Sequence, residues 1–346
     1  MRGSRRRGRV MGSPRRRGRI SVSLVALATA LIFIPGVPAA VGQDFIEVNC
    51  PGDSLQAAID AAPPGALLDV TGTCVENLVI DKDVHIFHGV LDGGGAGSVV
   101  RVESGASVNL YHLTVQNGFA DYGGGVYSAG DFGADGVSFY SNHAVFDGGA
   151  VYHEGYFVAD TPDFGPNTAG RSGGAVYAVG GIDVTDGYFN DNRADGAGDA
   201  GGGAVYTLGP ASFVDPRMHN NSAPNGTGGA IFGADGVSMT SGAFTGNTSK
   251  YGGAAIANGS LALDPPSPAL IEFAFFGDNT GDEAGAISTT GPLTLFDVDI
   301  SSNTSANGAA LLVEAGVDVV IGGSLYQNIG NKCGDIRVEA GAQFIG

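Results

Sequence analysis

In the stretch that begins at Gly173, apolar and polar residues alternate over GAVYAV, then GIDVTD, then GYFND, which reads as three short β segments parted by turn residues. The same text recurs along the chain. Glycine pairs or degenerate copies of them open blocks at Gly123, Gly148, Gly173, Gly202, Gly228, Gly252, Ala284 and Asn307, at spacings of 25, 25, 29, 26, 24, 32 and 23 residues. A second signal travels with the first, an apolar residue three before an asparagine: Phe139/Asn142, Phe164/Asn167, Phe189/Asn192, Met218/Asn221, Phe244/Asn247, Phe276/Asn279 and Ile300/Asn303. Weaker copies end at Asn117 and Asn328. In six blocks the fifth residue of the first motif lies 12 residues before that apolar position. Length changes fall elsewhere, in the loop after the asparagine or in one insertion around LALDPPSPALIEF.

A fixed path with one variable corner is what stacked repeats produce, because each repeat must lie in register on its neighbour. Helical repeats are excluded by the glycine content and the missing 3.6-residue period. The pattern therefore predicts an all-β fold, a parallel β-helix of roughly ten coils with three short strands per coil and coils ~4.8 Å apart. Within each block the fourth residue (Val126, Val151, Val176, Val205, Ile231, Ile287) is aliphatic and is expected to point inward. Alternation then sends the fifth residue outward, so that Tyr127, Tyr152, Tyr177, Tyr206 and Phe232 form one external column. The asparagines are expected at a corner, where they tolerate left-handed geometry and bond the equivalent amide one coil away. The glycine pair supplies a sharp turn that needs positive φ.

GGA[VI][YF] paired with F-x-x-N, here GGAVY with FNDN and GGAIF with FTGN, resembles the polymorphic outer-membrane protein repeat over about Gly123 to Asn328. The earlier stretch DSLQAAIDAAPPGALLDVTGTCVENLVIDKDVHIFHG resembles the opening of pectin-lyase-like right-handed β-helix proteins. These resemblances imply right-handed winding, a short amphipathic capping helix over Ser54 to Ala62, and an extracellular, often adhesive, surface protein. No membrane-barrel domain follows the repeats, so outer-membrane insertion is not expected. The organisation expected is an export signal over 1–42, an N-terminal cap with first strands over 43–75, and right-handed β-helix repeats over 76–346.

Charge sharpens this. Nine of the 17 basic residues precede residue 20, and the first acidic residue is Asp44, so the remainder carries eight basic against 35 acidic residues, a net of -27. Such a body repels nucleic acid and anionic lipid. The basic leader is followed by the apolar run Ile20 to Ile34 and then by small residues, the layout of a secretory signal cleaved after Ala39 or Gly42. Pro35 stops the run short of the ~20 residues that span a bilayer. The leader nearly repeats itself, which makes Met11 an alternative start. Export permits disulfides, and Cys50 is expected to pair with Cys74 to close the cap over the first coil, leaving Cys333 buried or available for an intermolecular bond.

Three features carry candidate chemistry. The aromatic column Tyr127, Tyr152, Tyr177, Tyr206 and Phe232 is a ladder that stabilises the sheet by stacking, or a surface for sugar rings or a partner's apolar groups. Asp186 and Asp215 share the fourteenth position of successive blocks, with Arg217 and His219 beside the second. Two carboxylates one strand apart, expected on adjacent strands, are solvated groups, holders of a cation, or an acid and base of a polysaccharide-active enzyme. Acidic glycine-rich loops from Asp92 and Arg193 offer oxygen ligands to Ca²⁺, but neither follows the G-G-x-G-x-D repeat, and no cofactor is expected. Glycosylation sequons stand at Asn220, Asn225, Asn247, Asn258 and Asn303, two of them ladder asparagines. The leading expectation is a non-enzymatic, adhesin-like secreted or cell-surface protein that binds a polysaccharide or cell-surface partner; the alternative is a lyase or glycoside hydrolase of the pectin-lyase-like class.

Overall fold

A computed structural model describes residues 45–259, 267–313, 318–326, 329–330, 336–338 and 343–344. The leader, residues 260–266 of the insertion, Asn328 and Cys333 lie outside the described residues. The chain is wound as a parallel β-solenoid of about 11 turns, marked by an 11-stranded sheet that takes one strand from each turn. That sheet runs from Leu78–Ile80 and Val100–Val102 through the GGAVY strands, such as Val126–Ser128, Val151–His153 and Val176–Ala178, to Ile336–Val338. Its register is the one the repeats imply, with Tyr127 opposite Tyr152, Tyr152 opposite Tyr177, and Tyr177 opposite Tyr206. Eight of these turns begin at the eight repeat blocks; Leu78–Ile80 and Val100–Val102 precede them and Ile336–Val338 follows, without a glycine pair.

Two further sheets complete the coil, one of 20 strands and one of nine. The larger one is bent. In the central turns it contributes two segments per coil, such as Asp131–Asp135 and Ser138–Tyr140, parted by a residue with positive φ. This bend explains why those coils show four short strands where the sequence suggested three. In later turns one nine-residue strand, such as Val237–Thr245, runs through it.

The interior is a set of columns. Val126, Val151, Val176, Val205, Ile231 and Ile287 are each 0% exposed. Beside them Phe139, Phe164 and Phe189 stack at centroid distances of 4.7 and 4.8 Å. Burying each such ring stabilises the fold by ~1.5 to 3 kcal/mol. The glycine pairs divide their labour. The first of each pair has positive φ, 67° at Gly148 and 64° at Gly173, while the second lies so near the next coil that a Cβ on Gly149 would sit 2.1 Å from the Gly174 carbonyl oxygen.

Seven asparagines (142, 167, 192, 221, 247, 279 and 303) form a buried ladder, each at most 1% exposed. From Asn142 to Asn279 the Nδ2 group donates to the next asparagine's Oδ1 at 2.8 to 3.1 Å. Each Nδ2 also donates to a main-chain carbonyl of the preceding coil at 2.8 to 3.0 Å. The left-handed residue of this corner is the one before the asparagine, as at Ser141, Asp191, Asn220, Asp278 and Ser302, so the asparagine itself needs no unusual backbone. Asn117 belongs to that left-handed position (φ 57°), and Gly118 takes the ladder slot, its N–H bonded to Asn142 Oδ1 at 3.0 Å.

The N-terminal end is closed by a helix, Leu55–Ala61, whose Leu55 and Ile59 are buried. Ser54 accepts the Ala57 N–H, and Glu76 accepts the Leu55 and Gln56 N–H groups at 2.9 and 3.1 Å, satisfying the helix's orphan donors. A disulfide joins Cys50 to Cys74, as expected.

Candidate binding surface

The tyrosines fall on the outer face of the GGAVY sheet because the valine before each one points into the core. Strand spacing then brings them together. Centroids lie 5.5 Å apart for Tyr127–Tyr152, 5.2 Å for Tyr152–Tyr177, 5.2 Å for Tyr177–Tyr206 and 4.7 Å for Tyr206–Phe232. The first three pairs are parallel to within 3°. Rings stacked this way cover one another's faces and present only edges and hydroxyls outward. Cover also grows along the column: Tyr127, Tyr152 and Tyr177 are half-buried, while Tyr206 and Phe232, packed with Ala234 and Ala257 in a small cluster outside the main core, are 5% exposed.

The corner after the asparagine forms one wall. Tyr122 meets Tyr152 edge-on at 5.1 Å and leans on Phe146 at 5.2 Å. Fully buried Asp147 pins this corner, accepting from Arg171 Nε at 2.8 Å and from the Ser172 N–H at 3.1 Å, with Arg171 Nη2 on its other oxygen. The phenols are held protonated. Its hydrogen bond to Glu154, at 2.6 Å, pushes the Tyr127 hydroxyl up to about 12, burial pushes Tyr177 up to about 12, and burial raises Tyr152 and Tyr206 as well.

The stacking stops at two places, beyond Tyr127 and beyond Phe232. At one end Arg101 is in register with Tyr127 and its guanidinium lies 4.6 Å from the ring centroid, beside a depression of about 660 Å³. At the other end the column passes from Phe232 to Ala257 and Ser288, beside a depression of about 410 Å³ with Tyr251, Asp199 and Glu283 on its lining.

Asp186, Asp215, Arg217 and His219 lie on the bent sheet, not on the aromatic face. The expectation that the two aspartates sit within adjacent strands is corrected: both occupy the bend, with φ of 52° and 46°, because Asp tolerates the left-handed region. They do stack on successive coils, the Asp186 N–H bonding the Val214 carbonyl at 2.8 Å and the Asp215 N–H the Thr240 carbonyl at 3.0 Å. Arg217 makes a long, exposed ion pair with Asp215 (3.6 Å), lies over the Tyr188 ring at 5.0 Å and donates to the Tyr188 hydroxyl. His219 is engaged by Thr245 at 2.8 Å. Sequence reasoning overlooked the column one residue earlier, Asp135 and Asp160, which pair in register on neighbouring strands. Burial, with repulsion from Asp135 and Asp186, raises the Asp160 carboxyl above the usual range. Position thirteen of the blocks would have revealed it.

Of the sequons, Asn247, Asn258 and Asn303 are buried, whereas Asn220 and Asn225 are exposed. Among the described residues no three His, Cys, Asp or Glu side chains are grouped to hold a metal ion, and no helix is long and apolar enough to cross a membrane. The fold defines the class, a parallel β-solenoid. No protein family, curated protein or solved structure matches the chain, so its tie to the polymorphic outer-membrane repeat is the motif resemblance alone.

Proposed function

We propose that this is a secreted or cell-surface solenoid, adhesin-like, that binds a glycan or surface partner without catalysis. The observation that carries this reading is the stacked aromatic column ending in two depressions on one outer face, while the acid and base candidates lie on a different sheet and are solvated or engaged elsewhere. Export is supported by the arginine-rich leader with its apolar run and by the Cys50–Cys74 disulfide. Right-handed winding and kinship with the polymorphic outer-membrane repeats belong to the same reading, supported by the paired motifs. A second reading, polysaccharide cleavage, draws on one observation, the raised carboxyl of Asp160 between Asp135 and Asp186. The exported protein on a glycan array, with released reducing and unsaturated ends assayed in parallel, tests both. Retention of at least one glycan class without release is expected. Release abolished by Asp160→Asn would replace binding by catalysis, and a blank array would remove the glycan from the proposal.

A further inference from the structure

We infer that the Arg101 end of the aromatic column is a subsite for the end of a neutral saccharide chain; this rests on the glycan-binding reading above and places the ligand on it. The first strand of the nine-stranded sheet, Phe119–Ala120, starts here, so two aromatic stacks terminate side by side. Phe119 stacks on His143 at 5.0 Å on one side only and is 49% exposed. Tyr127 stacks on Tyr152 on one side and carries Arg101 on the other. Both rings, with Tyr122, line the same depression of about 660 Å³, within the ~300 to 1,000 Å³ usual for small-ligand sites. A pyranose needs an aromatic face for its C–H side and mixed donors and acceptors for its hydroxyls.

The lining supplies both. Arg101 commits Nε to Glu103 at 2.6 Å, and among the described residues no acceptor meets its Nη groups. Asn77 donates to the Ala96 and Ser98 carbonyls and keeps its Oδ1 as an acceptor. The Asp121 carboxylate is exposed and has no hydrogen-bond partner among the described residues. Charge selects the sugar. The one guanidinium is already balanced by Glu103, and Asp121 leaves the lining negative, so a carboxylated or sulfated sugar is repelled where an uncharged one is not. The interior of the column offers no comparable platform, since its ring faces are filled.

The test is titration of the exported protein with neutral gluco-, galacto-, manno- and xylo-hexaoses and with an oligogalacturonide, by calorimetry. At least one neutral hexaose is expected to bind. Phe119→Ala should weaken it at least tenfold and Arg101→Gln several-fold, with unchanged thermal midpoints because both side chains are half exposed, while Phe296→Ala, on the exposed face of the bent sheet, should bind as the parent does. If a neutral sugar binds but the Phe119 and Arg101 variants hold it unchanged, this subsite is wrong while glycan binding stands. Preference for the oligogalacturonide overturns the neutral-sugar assignment. No binding by any probe sinks the inference and the glycan reading together.

Discussion

Each ladder asparagine is held by partners on two sides, and their loss is costly because the site is buried. Truncating Asn192 removes one donor from the Phe164 carbonyl, one from the Asn221 oxygen and one acceptor from the Asn167 amide, all buried. Asn192→Ala and Asn221→Ala are each expected to lower unfolding stability by ~1 to 3 kcal/mol, read from the denaturant midpoint; unmoved midpoints would deny the ladder its role. Gly174 should be equally intolerant, for a Cβ there would stand 2.1 Å from the Gly203 carbonyl oxygen, whereas Gly198, with nothing within 4 Å, should pay only for its φ of 70°. Gly174→Ala is therefore expected to cost clearly more than Gly198→Ala. Asp160 makes the opposite case. A carboxyl whose folded value is raised binds its proton more tightly in the folded state, so stability falls as pH rises from the ordinary 3.8 through that raised value. Asp160→Asn should raise the melting temperature at pH 7, and the gain should vanish by about pH 3, where both forms are neutral. An equal gain at both pH values would mean that the buried, repelled charge is not the cause.

The aromatic column shows what an element inherits from its position on the solenoid. Five rings written alike in sequence do not bear alike. Tyr206→Ala removes a ring that is 5% exposed, and is expected to cost ~2 to 3 kcal/mol, against about 1 or less for Tyr127→Ala. Equal losses would show that stacking, rather than cover, sets the energy. The column, its outward direction and its register were legible in the sequence because the 12-residue path and the two motifs fix every coil on its neighbour. The buried asparagines were legible for the same reason. The bend that carries Asp186 and Asp215 was not, since a left-handed residue can be Thr161 in one coil and Asp186 in the next, with no common letter. Nor was the Arg101 depression, because it is built where the periodicity stops: Arg101 and Phe119 stand outside the repeats and meet only through the ending of a sheet.

Across the whole molecule, coils contact chiefly their neighbours, so stability accumulates along one dimension and the ends are the weak points. The disulfide and the capping helix protect one of them. Reduction, or Cys50→Ser with Cys74→Ser, opens a loop of sequence separation 24 and should cost ~3 kcal/mol, with hydrogen exchange accelerating first in the strands before Gly123. Uniform acceleration would show instead that the solenoid opens as one unit.

The glycine contacts, asparagine bonds and tyrosine stacking that join the turn from Gly148 to the one before it are the same as those that join it to the one after. A body whose two cut surfaces match has no preferred length. It behaves as a ruler with a 25-residue graduation, and a tandem copy of 148–172 would move whatever the far end carries by about 4.8 Å without creating an unfamiliar interface.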